Sequence, residues 1–339
     1  MYPPTGMILP TRIQDVTVCS YGQEVWTQGR WTGENFIGIQ EEQRAEGIRI
    51  HQEKYCKELR DRYGFVGAHM STTPMETNAK FSQGDVQDNE DRPSFDFRGA
   101  VGALVYLPIS TRPDIAFSVG YLSVFVSKPT KKHCGALTRI LCYLVGTTNL
   151  GIMYSGSSSM DDRVIVSGHC DADDPDTRKS DTGFVLTIAG GAVAWTARRK
   201  TIVAQSTAEA EYVVACEAMM EGHGVLNMLD EALPKINVNT ELTMGVDNSA
   251  AIAIATAPTY SRKTWHIELR WQYVRNQVLK KLVSIFEVDG ADMFTKALPK
   301  GQLVKFRSMI GMMTALPIPK AKFPTQSEGA VLQIASGSN

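Results

Sequence analysis

The sequence predicts an α/β fold for residues 160–300, a mixed sheet covered by helices, with a smaller, mostly helical section before it. Three observations predict this arrangement. After residue 163, strand-like segments come first, a long helical pattern follows, and strands and helices then alternate, which is the order of a mixed sheet with helices on its faces. Between residues 98 and 145, apolar residues instead recur at helical spacing. The Gly-Ser-rich stretch 156–159 separates the two patterns and is the best candidate for a domain boundary.

The chain divides into five predicted segments. They are, in order, a poorly specified N-terminus (1–34), a segment of short strands, one helix and a polar connector (35–93), a helical section (94–155), the α/β domain (160–300), and a short helix with a disordered tail (301–339). In the second segment, aromatic and leucine residues at four-residue spacing predict a helix over 53–63, and apolar alternation predicts strands at 36–39 and 48–50. In the third, we expect helices over 111–126 and 131–145.

The α/β domain is predicted from short apolar runs and their turn signals. Strands are expected at 164–171, 183–188, 192–196, 202–204, 242–246 and 283–288, and helices at 207–229, 249–255, 265–279 and 291–298. The dipeptide Gly190-Gly191 predicts a tight turn between the second and third strands.

Composition indicates an ordinary globular protein. The formal net charge is −1, with 43% hydrophobic and 21% charged residues. No apolar run approaches the length of a membrane span and the start does not resemble a secretory signal, so we expect no membrane partner and a location inside the cell. Six cysteines without a C-x-x-C pair argue against a disulfide framework or a zinc site.

Four carboxylates stand out by their positions in the predicted elements. Asp171 lies at the end of the first strand of the α/β domain, Glu211 in the first turns of its long helix, Asp247 at the end of the next strand, and Asp292 at the start of the last short helix. Acids at such positions can meet at one edge of a sheet. Crowded carboxylates favour a divalent cation, and two Mg²⁺ or Mn²⁺ ions about 4 Å apart would suit phosphodiester hydrolysis. The alternative is that they are solvated surface acids, since spacing alone does not prove convergence.

Several motifs in this order resemble copia-type retrotransposon polyproteins. They are Thr-Arg-Pro-Asp-Ile-Ala-Phe (111–117), Cys-Asp-Ala-Asp (170–173), Gln-Ser-Thr-Ala-Glu-Ala-Glu-Tyr (205–212), Asp-Asn-Ser-Ala-Ala-Ile (247–252) and Ala-Asp-Met-Phe-Thr-Lys-Ala-Leu (291–298). In that family the first motif joins polymerase to nuclease. The similarity extends over about residues 35–312.

The resemblance implies a ribonuclease H-like fold for residues 160–300, preceded by a remnant of reverse transcriptase. It implies metal-dependent hydrolysis of the RNA strand of RNA–DNA hybrids. It also implies that Asp171, Glu211, Asp247 and Asp292 hold two Mg²⁺ or Mn²⁺ ions, and that upstream reverse transcriptase parts of the same polyprotein are possible partners.

Two glutamates compete for the position on the long helix. Glu209 stands three residues after Ser206, which fits a capping box at the helix start. Glu211 shares a helical stripe with Val214 and Ala218, which should face the sheet. We therefore expect Glu211 to be the ligand and Glu209 the cap.

The sequence also departs from the family pattern. The family has Trp-Ala-Gly after its D-x-D motif, and here Asp174-Pro175-Asp176 replaces it in a shortened and more acidic loop. The aromatic-x-Asp-Asp hairpin of polymerases is missing, so we expect no DNA synthesis. These departures leave a second interpretation open, in which the chain is a decayed fragment that keeps the fold and at most binds nucleic acid.

Basic residues near the predicted site are the candidate contacts for phosphates. They are Arg178, Lys179, Arg198, Arg199, Lys200, Arg262 and Lys263. Each is equally consistent with a solvated turn. Hybrid duplexes are recognised by shape and 2′-hydroxyl groups, so we expect no sequence-specific readout.

Overall fold

The computed structural model describes part of the chain, and the elements of its fold lie in that part. The described residues are 37–44, 47–77, 79–81, 96–156, 163–173, 181–199, 207–232, 239–248, 252, 268–288 and 292–314. The strands are β1 (Gln40–Arg44), β2 (Gly47–His51), β3 (Leu150–Ser155), β4 (Arg163–Asp173), β5 (Asp181–Ile188), β6 (Gly191–Arg199), β7 (Asn239–Val246), β8 (Val283–Glu287) and β9 (Met312–Thr314). The helices are α1 (Glu53–Arg62), α2 (Phe97–Ser110), α3 (Ala116–Ser123), α4 (Lys131–Gly146), α5 (Thr207–Ala232), α6 (Glu268–Leu279) and α7 (Lys300–Met309), with 3-10 turns at Pro113–Ile115 and Asp292–Phe294.

A five-stranded mixed sheet forms the α/β part of the molecule. Its order is β6-β5-β4-β7-β8, antiparallel between β4, β5 and β6 and parallel between β4, β7 and β8. Helix α5 packs against β4, β5 and β7. This confirms the predicted class, a mixed sheet flanked by helices.

The hairpin between β5 and β6 turns one residue earlier than the Gly-Gly pair indicated. Ala189 and Gly190 form the turn, with φ of 52° and 76°, and Gly191 already begins β6. Positive φ at both central residues matches the twist of a two-residue hairpin.

A second sheet joins distant parts of the chain. Its order is β1-β2-β3-β9, antiparallel throughout. The predicted strand 48–50 is confirmed within β2, but the strand expected at 36–39 is wrong in position, because β1 covers Gln40–Arg44. Strand β1 reads QEEQR at the edge of the sheet, so apolar alternation could not reveal it.

The predicted helices are mostly confirmed, with two corrections. The helix expected over 111–126 begins as the 3-10 turn Pro113–Ile115 and continues as α3. The helix expected over 291–298 is only the 3-10 turn Asp292–Phe294. The predicted strand 202–204 lies outside the described residues, and so does nearly all of the predicted helix 249–255. Within the described part, no helix is long and apolar enough to cross a membrane.

The two faces of the five-stranded sheet contribute to two hydrophobic cores. Phe184 and Leu186 of β5 belong to the core beneath α5, while Val185 between them belongs to the core shared with the helical section. Neighbouring residues of a strand point to opposite faces, so the helical section covers the face opposite α5. A hydrogen bond from Trp195 Nε1 to the Pro108 carbonyl links the two parts on that face.

Candidate metal centre

Asp171 lies near the end of β4 and is buried, with 3% of its surface exposed. The hydroxyl of Thr295 donates a hydrogen bond to Asp171 Oδ2. The segment that carries Thr295 lies close to the sheet at Gly183, which pairs with Asp171 across β4 and β5. A Cβ at Gly183 would stand 2.5 Å from Phe294 Cβ, so only glycine allows this approach.

Glu211 reaches the same place from helix α5. Its side chain is buried, at 5% exposed, and its Oε1 accepts a hydrogen bond of 3.1 Å from the backbone N–H of Ala172 in β4. Its other oxygen, Oε2, is buried without a hydrogen-bond partner. The helix places Glu211 on the buried stripe with Val214 and Ala218, as the sequence predicts.

Asp247 completes a group of three acids at one sheet edge. Strands β4 and β7 are parallel, and Cys170 pairs with Val246, so the following residues, Asp171 and Asp247, emerge side by side. One possible ligand atom from each of Asp171, Glu211 and Asp247 lies within 4.8 Å of the others. Asp247 is exposed, so the group opens to solvent on its side.

Asp292 stands beside this group and is not a member of it. Its Oδ1 lies 2.8 Å from Lys296 Nζ, an ion pair one helical turn apart in sequence. Its charge nevertheless acts on Asp171, whose pKa it helps to raise. The structure therefore brings together three of the four carboxylates that the sequence singles out, with the fourth nearby and paired to a lysine.

The protonation of the buried acids reflects their crowding. Burial, together with the nearby charges of Asp171 and Asp247, raises the pKa of Glu211 to about 9. Burial also raises the pKa of Asp171 to about 7, although the hydrogen bond from Thr295 and the charge of Lys296 oppose the change. Without a cation, these carboxyl groups therefore retain protons at pH values at which ordinary carboxylates are fully charged.

A divalent cation fits this group on chemical grounds. Three carboxylates supply the hard oxygen ligands that Mg²⁺ and Mn²⁺ prefer. The partnerless Oε2 of Glu211 is a buried polar atom that a cation would satisfy. The cluster can thus hold a metal ion.

The structure separates the two glutamates of α5. Glu209 is buried, at 8% exposed, but it does not join the cluster that contains Glu211. Its expected capping partner, Ser206, lies outside the described residues, so the cap remains a prediction.

Most of the candidate phosphate contacts lie outside the described residues. Those are Arg178, Lys179, Lys200, Arg262 and Lys263, together with the acidic loop 174–176. Arg198 and Arg199 end β6, and both are exposed. Arg198 Nη2 lies 2.8 Å from Glu217 Oε2 of helix α5. Contact of any of these residues with nucleic acid remains a prediction.

Sequence reasoning missed the cleft next to the acids. Its volume is about 580 Å³, and it is lined by Asp247, Glu287, Val288, Asp292, Lys296, Gln302, Lys305 and Phe306. Sequence reasoning also missed Thr295, the hydrogen-bond donor to Asp171. Thr295 and Lys296 lie in the same sequence motif as Asp292, and this shared motif could have indicated that they lie near the site. No local sequence pattern indicated that helix α7 forms a wall of the cleft.

Comparisons with known proteins identify the family. No family model matches the chain. The chain is 32% identical over 286 residues to the retrovirus-related Pol polyprotein from transposon TNT 1-94 of Nicotiana tabacum, covering 81% of this chain and 21% of the relative. It is 30% identical over 289 residues to the corresponding polyprotein from transposon RE1 of Arabidopsis thaliana, covering 83% of this chain and 19% of the relative.

A shorter relative covers part of the same region. Secreted RxLR effector protein 161 of Plasmopara viticola is 38% identical over 128 residues, which cover 37% of this chain and 87% of that protein. Relative to the transposon polyproteins, the chain spans only about a fifth of their length. The chain belongs to the family of copia-type retrotransposon Pol polyproteins, as a fragment of such a polyprotein.

Proposed function

We propose that the chain hydrolyses the RNA strand of RNA–DNA hybrids, using two Mg²⁺ or Mn²⁺ ions at the three-acid cluster, within a ribonuclease H-like fold. One observation carries the proposal: Asp171, Glu211 and Asp247 place ligand atoms within 4.8 Å of one another, and two of the three are buried. Burying like charges without a counter-ion is unfavourable, so the arrangement is understandable as a cation site.

Each buried acid is held in place through one of its oxygens. The Thr295 hydroxyl orients Asp171 through Oδ2, and the Ala172 N–H orients Glu211 through Oε1. Such fixed carboxylates suit two-metal hydrolysis, which requires ligands held to about half an ångström. When bound, the cations would activate water and stabilise charge on the phosphate.

Asp292 would act at the edge of the site. Asp292 lines the cleft together with Asp247. Its ion pair with Lys296 partly neutralises the negative charge that it could offer to a metal ion. We expect it to contribute less to metal binding than the three clustered acids do.

The test measures cleavage of a hybrid whose RNA strand is labelled, with Mg²⁺ and with a chelator. Single-stranded RNA and duplex DNA serve as substrate controls. Glu211→Gln should abolish cleavage, whereas Glu209→Gln, on the same helix and also buried, should retain it. Equal cleavage by wild type and Glu211→Gln would overturn the proposal.

A thermal-melting series at pH 8 separates loss of chemistry from loss of the metal site. Mg²⁺ should raise the melting temperature of the wild type and not that of Glu211→Gln. Metal-dependent stabilisation without cleavage would instead support the second interpretation, a fragment that keeps the fold and has lost activity.

A further inference from the structure

Helix α7 forms part of the wall of the cleft that Asp247 lines. Leu303 and Phe306 are buried and anchor the helix in the core that the sheet shares with the helical section. Gln302 and Lys305 are three residues apart, so they occupy one face of the helix, and both are exposed in the cleft. The packing of α7 therefore brings an amide and an ammonium group into the lining of the cleft that Asp247 also lines.

Side chains of both charges line the cleft. Asp247, Glu287 and Asp292 are acidic, and Lys296 and Lys305 are basic. Lys296 also influences the acid cluster, because its charge opposes the rise in pKa of Asp171 and Glu211. Cations bound at the acid cluster would offset the charge of Asp247, the acid that the cluster and the cleft share, and so favour anions in the cleft.

A nucleic-acid strand presents a negative phosphate at every nucleotide. If one phosphate lies at the acid cluster, the strand must continue past it, and its neighbouring phosphates need cationic or hydrogen-bond-donating partners. Lysine binds phosphate as a point charge, and a glutamine amide donates hydrogen bonds. The cleft provides both groups next to the acids, on an anchored helix.

We propose that Lys305 and Gln302 of helix α7 bind the phosphate adjacent to the scissile one and position the strand that is cut. This inference rests on the proposed hydrolysis of hybrids at the same site. It makes Lys305 and Gln302 positioning residues, which act on the orientation of the substrate and take no part in bond breaking.

The test compares Lys305→Gln with Lys300→Gln, which removes the same charge from an exposed position of α7 that does not line the cleft. Binding is measured by fluorescence anisotropy over a salt series, to an unmodified hybrid, with Ca²⁺ replacing Mg²⁺ so that the RNA strand stays intact during the measurement. Loss of one phosphate contact should lower the slope of log K against log salt by about 0.7–0.9. We expect that change, and several-fold weaker binding at low salt, for Lys305→Gln alone.

Two further variants sharpen the result. Lys305→Arg should restore most of the binding and the salt slope, because it returns the charge. Gln302→Ala should weaken binding with little change in the slope, because it removes a neutral donor. Unchanged melting temperatures in all variants would show that the helix remains folded, since these side chains are exposed.

The possible failures are distinguishable. If the wild type cleaves hybrid and Lys305→Gln behaves like Lys300→Gln in slope and affinity, the role of α7 is wrong and the proposed function stands. If the wild type binds hybrid in a Lys305-dependent way but never cleaves it, the proposed hydrolysis fails while α7 keeps its role in binding.

Discussion

Among the described residues, two regions with buried carboxylates differ in the sign of the charge that surrounds those groups. In the helical section, Asp114 is fully buried and receives two hydrogen bonds of 2.8 Å from Arg112, with a third of 2.6 Å from the Tyr143 hydroxyl. At the sheet edge, Asp171 and Glu211 are buried among other acids. Both regions place carboxyl groups out of water, but of the two only the first pairs its buried carboxylate directly with a cationic side chain.

The difference appears in the pKa values. Burial alone would raise the pKa of Asp114, but the Arg112 guanidinium and its hydrogen bonds outweigh that effect and keep the pKa below its usual value. Burial raises the pKa of Asp171 and Glu211 to about 7 and 9, and neighbouring acids add to the increase. A buried carboxylate with its counter-ion in place supports the fold, whereas buried carboxylates without one mark a candidate site for a cation.

The largest expected effect is the pH dependence of stability without metal. A carboxyl group whose pKa is higher in the folded than in the unfolded state contributes to the stability of the fold. This contribution is complete below the unfolded-state pKa and is lost as the pH rises through the folded-state pKa. That range extends from the ordinary pKa of 3.8 to about pH 7 for Asp171, and from 4.5 to about pH 9 for Glu211. Each group should lower stability by at most about 1.4 kcal/mol per pH unit in this range.

Urea unfolding with a chelator, from pH 5 to pH 9, checks this prediction. The free energy of unfolding of Glu211→Gln should depend less on pH than that of the wild type. At pH 8, Mg²⁺ should restore the stability of the wild type, because metal ligands must be deprotonated. Identical profiles for the two proteins would contradict the proposed crowding.

The next effect concerns the paired region. Asp114→Asn leaves the buried Arg112 guanidinium without its counter-charge and should reduce the free energy of unfolding by about 3–5 kcal/mol. The double variant Arg112→Met, Asp114→Asn should be less destabilised, because the unpaired charge is gone. If Asp114→Asn unfolds at the same urea concentration as the wild type, the buried Arg112–Asp114 pair does not stabilise the fold.

A smaller effect is expected at the start of α5. Glu209→Ala should reduce the free energy of unfolding by about 1 kcal/mol, as loss of a helix cap does, and leave hybrid cleavage largely intact. Glu211→Ala should show the reverse, little loss of stability and no cleavage. Melting and cleavage measured on both variants would show directly whether the two roles have been exchanged.

The smallest effect is expected for an exposed ion pair. Arg198 pairs with Glu217 at 2.8 Å, but 59% of the Arg198 side chain is exposed. Arg198→Ala should therefore change the free energy of unfolding by no more than about 0.2–1 kcal/mol. If Arg198→Ala lowers the free energy of unfolding as much as Asp114→Asn does, exposed and buried ion pairs do not differ in their contribution to stability.

Local sequence patterns predicted the elements whose formation depends on near neighbours. Helix α5 and the β5–β6 hairpin follow from apolar periodicity and turn residues, and the observed bounds differ from the predicted ones by a few residues. Strand β1 was misplaced because it is a polar edge strand, and β9 was missed because its three residues form a strand only by pairing with β3.

By itself, the sequence singled out the candidate acids and predicted on which elements they lie. Asp171 and Asp247 are recognisable at strand ends and Glu211 at a helix start, because strands and helices depend on neighbours in the chain. Only the tertiary structure decided that these three meet within 4.8 Å, and that Asp292 pairs with Lys296. The meeting depends on the parallel pairing of β4 with β7 and on the packing of α5 against both strands. Such contacts join residues far apart in sequence, and their geometry is set by the burial of the shared core, which no local pattern encodes.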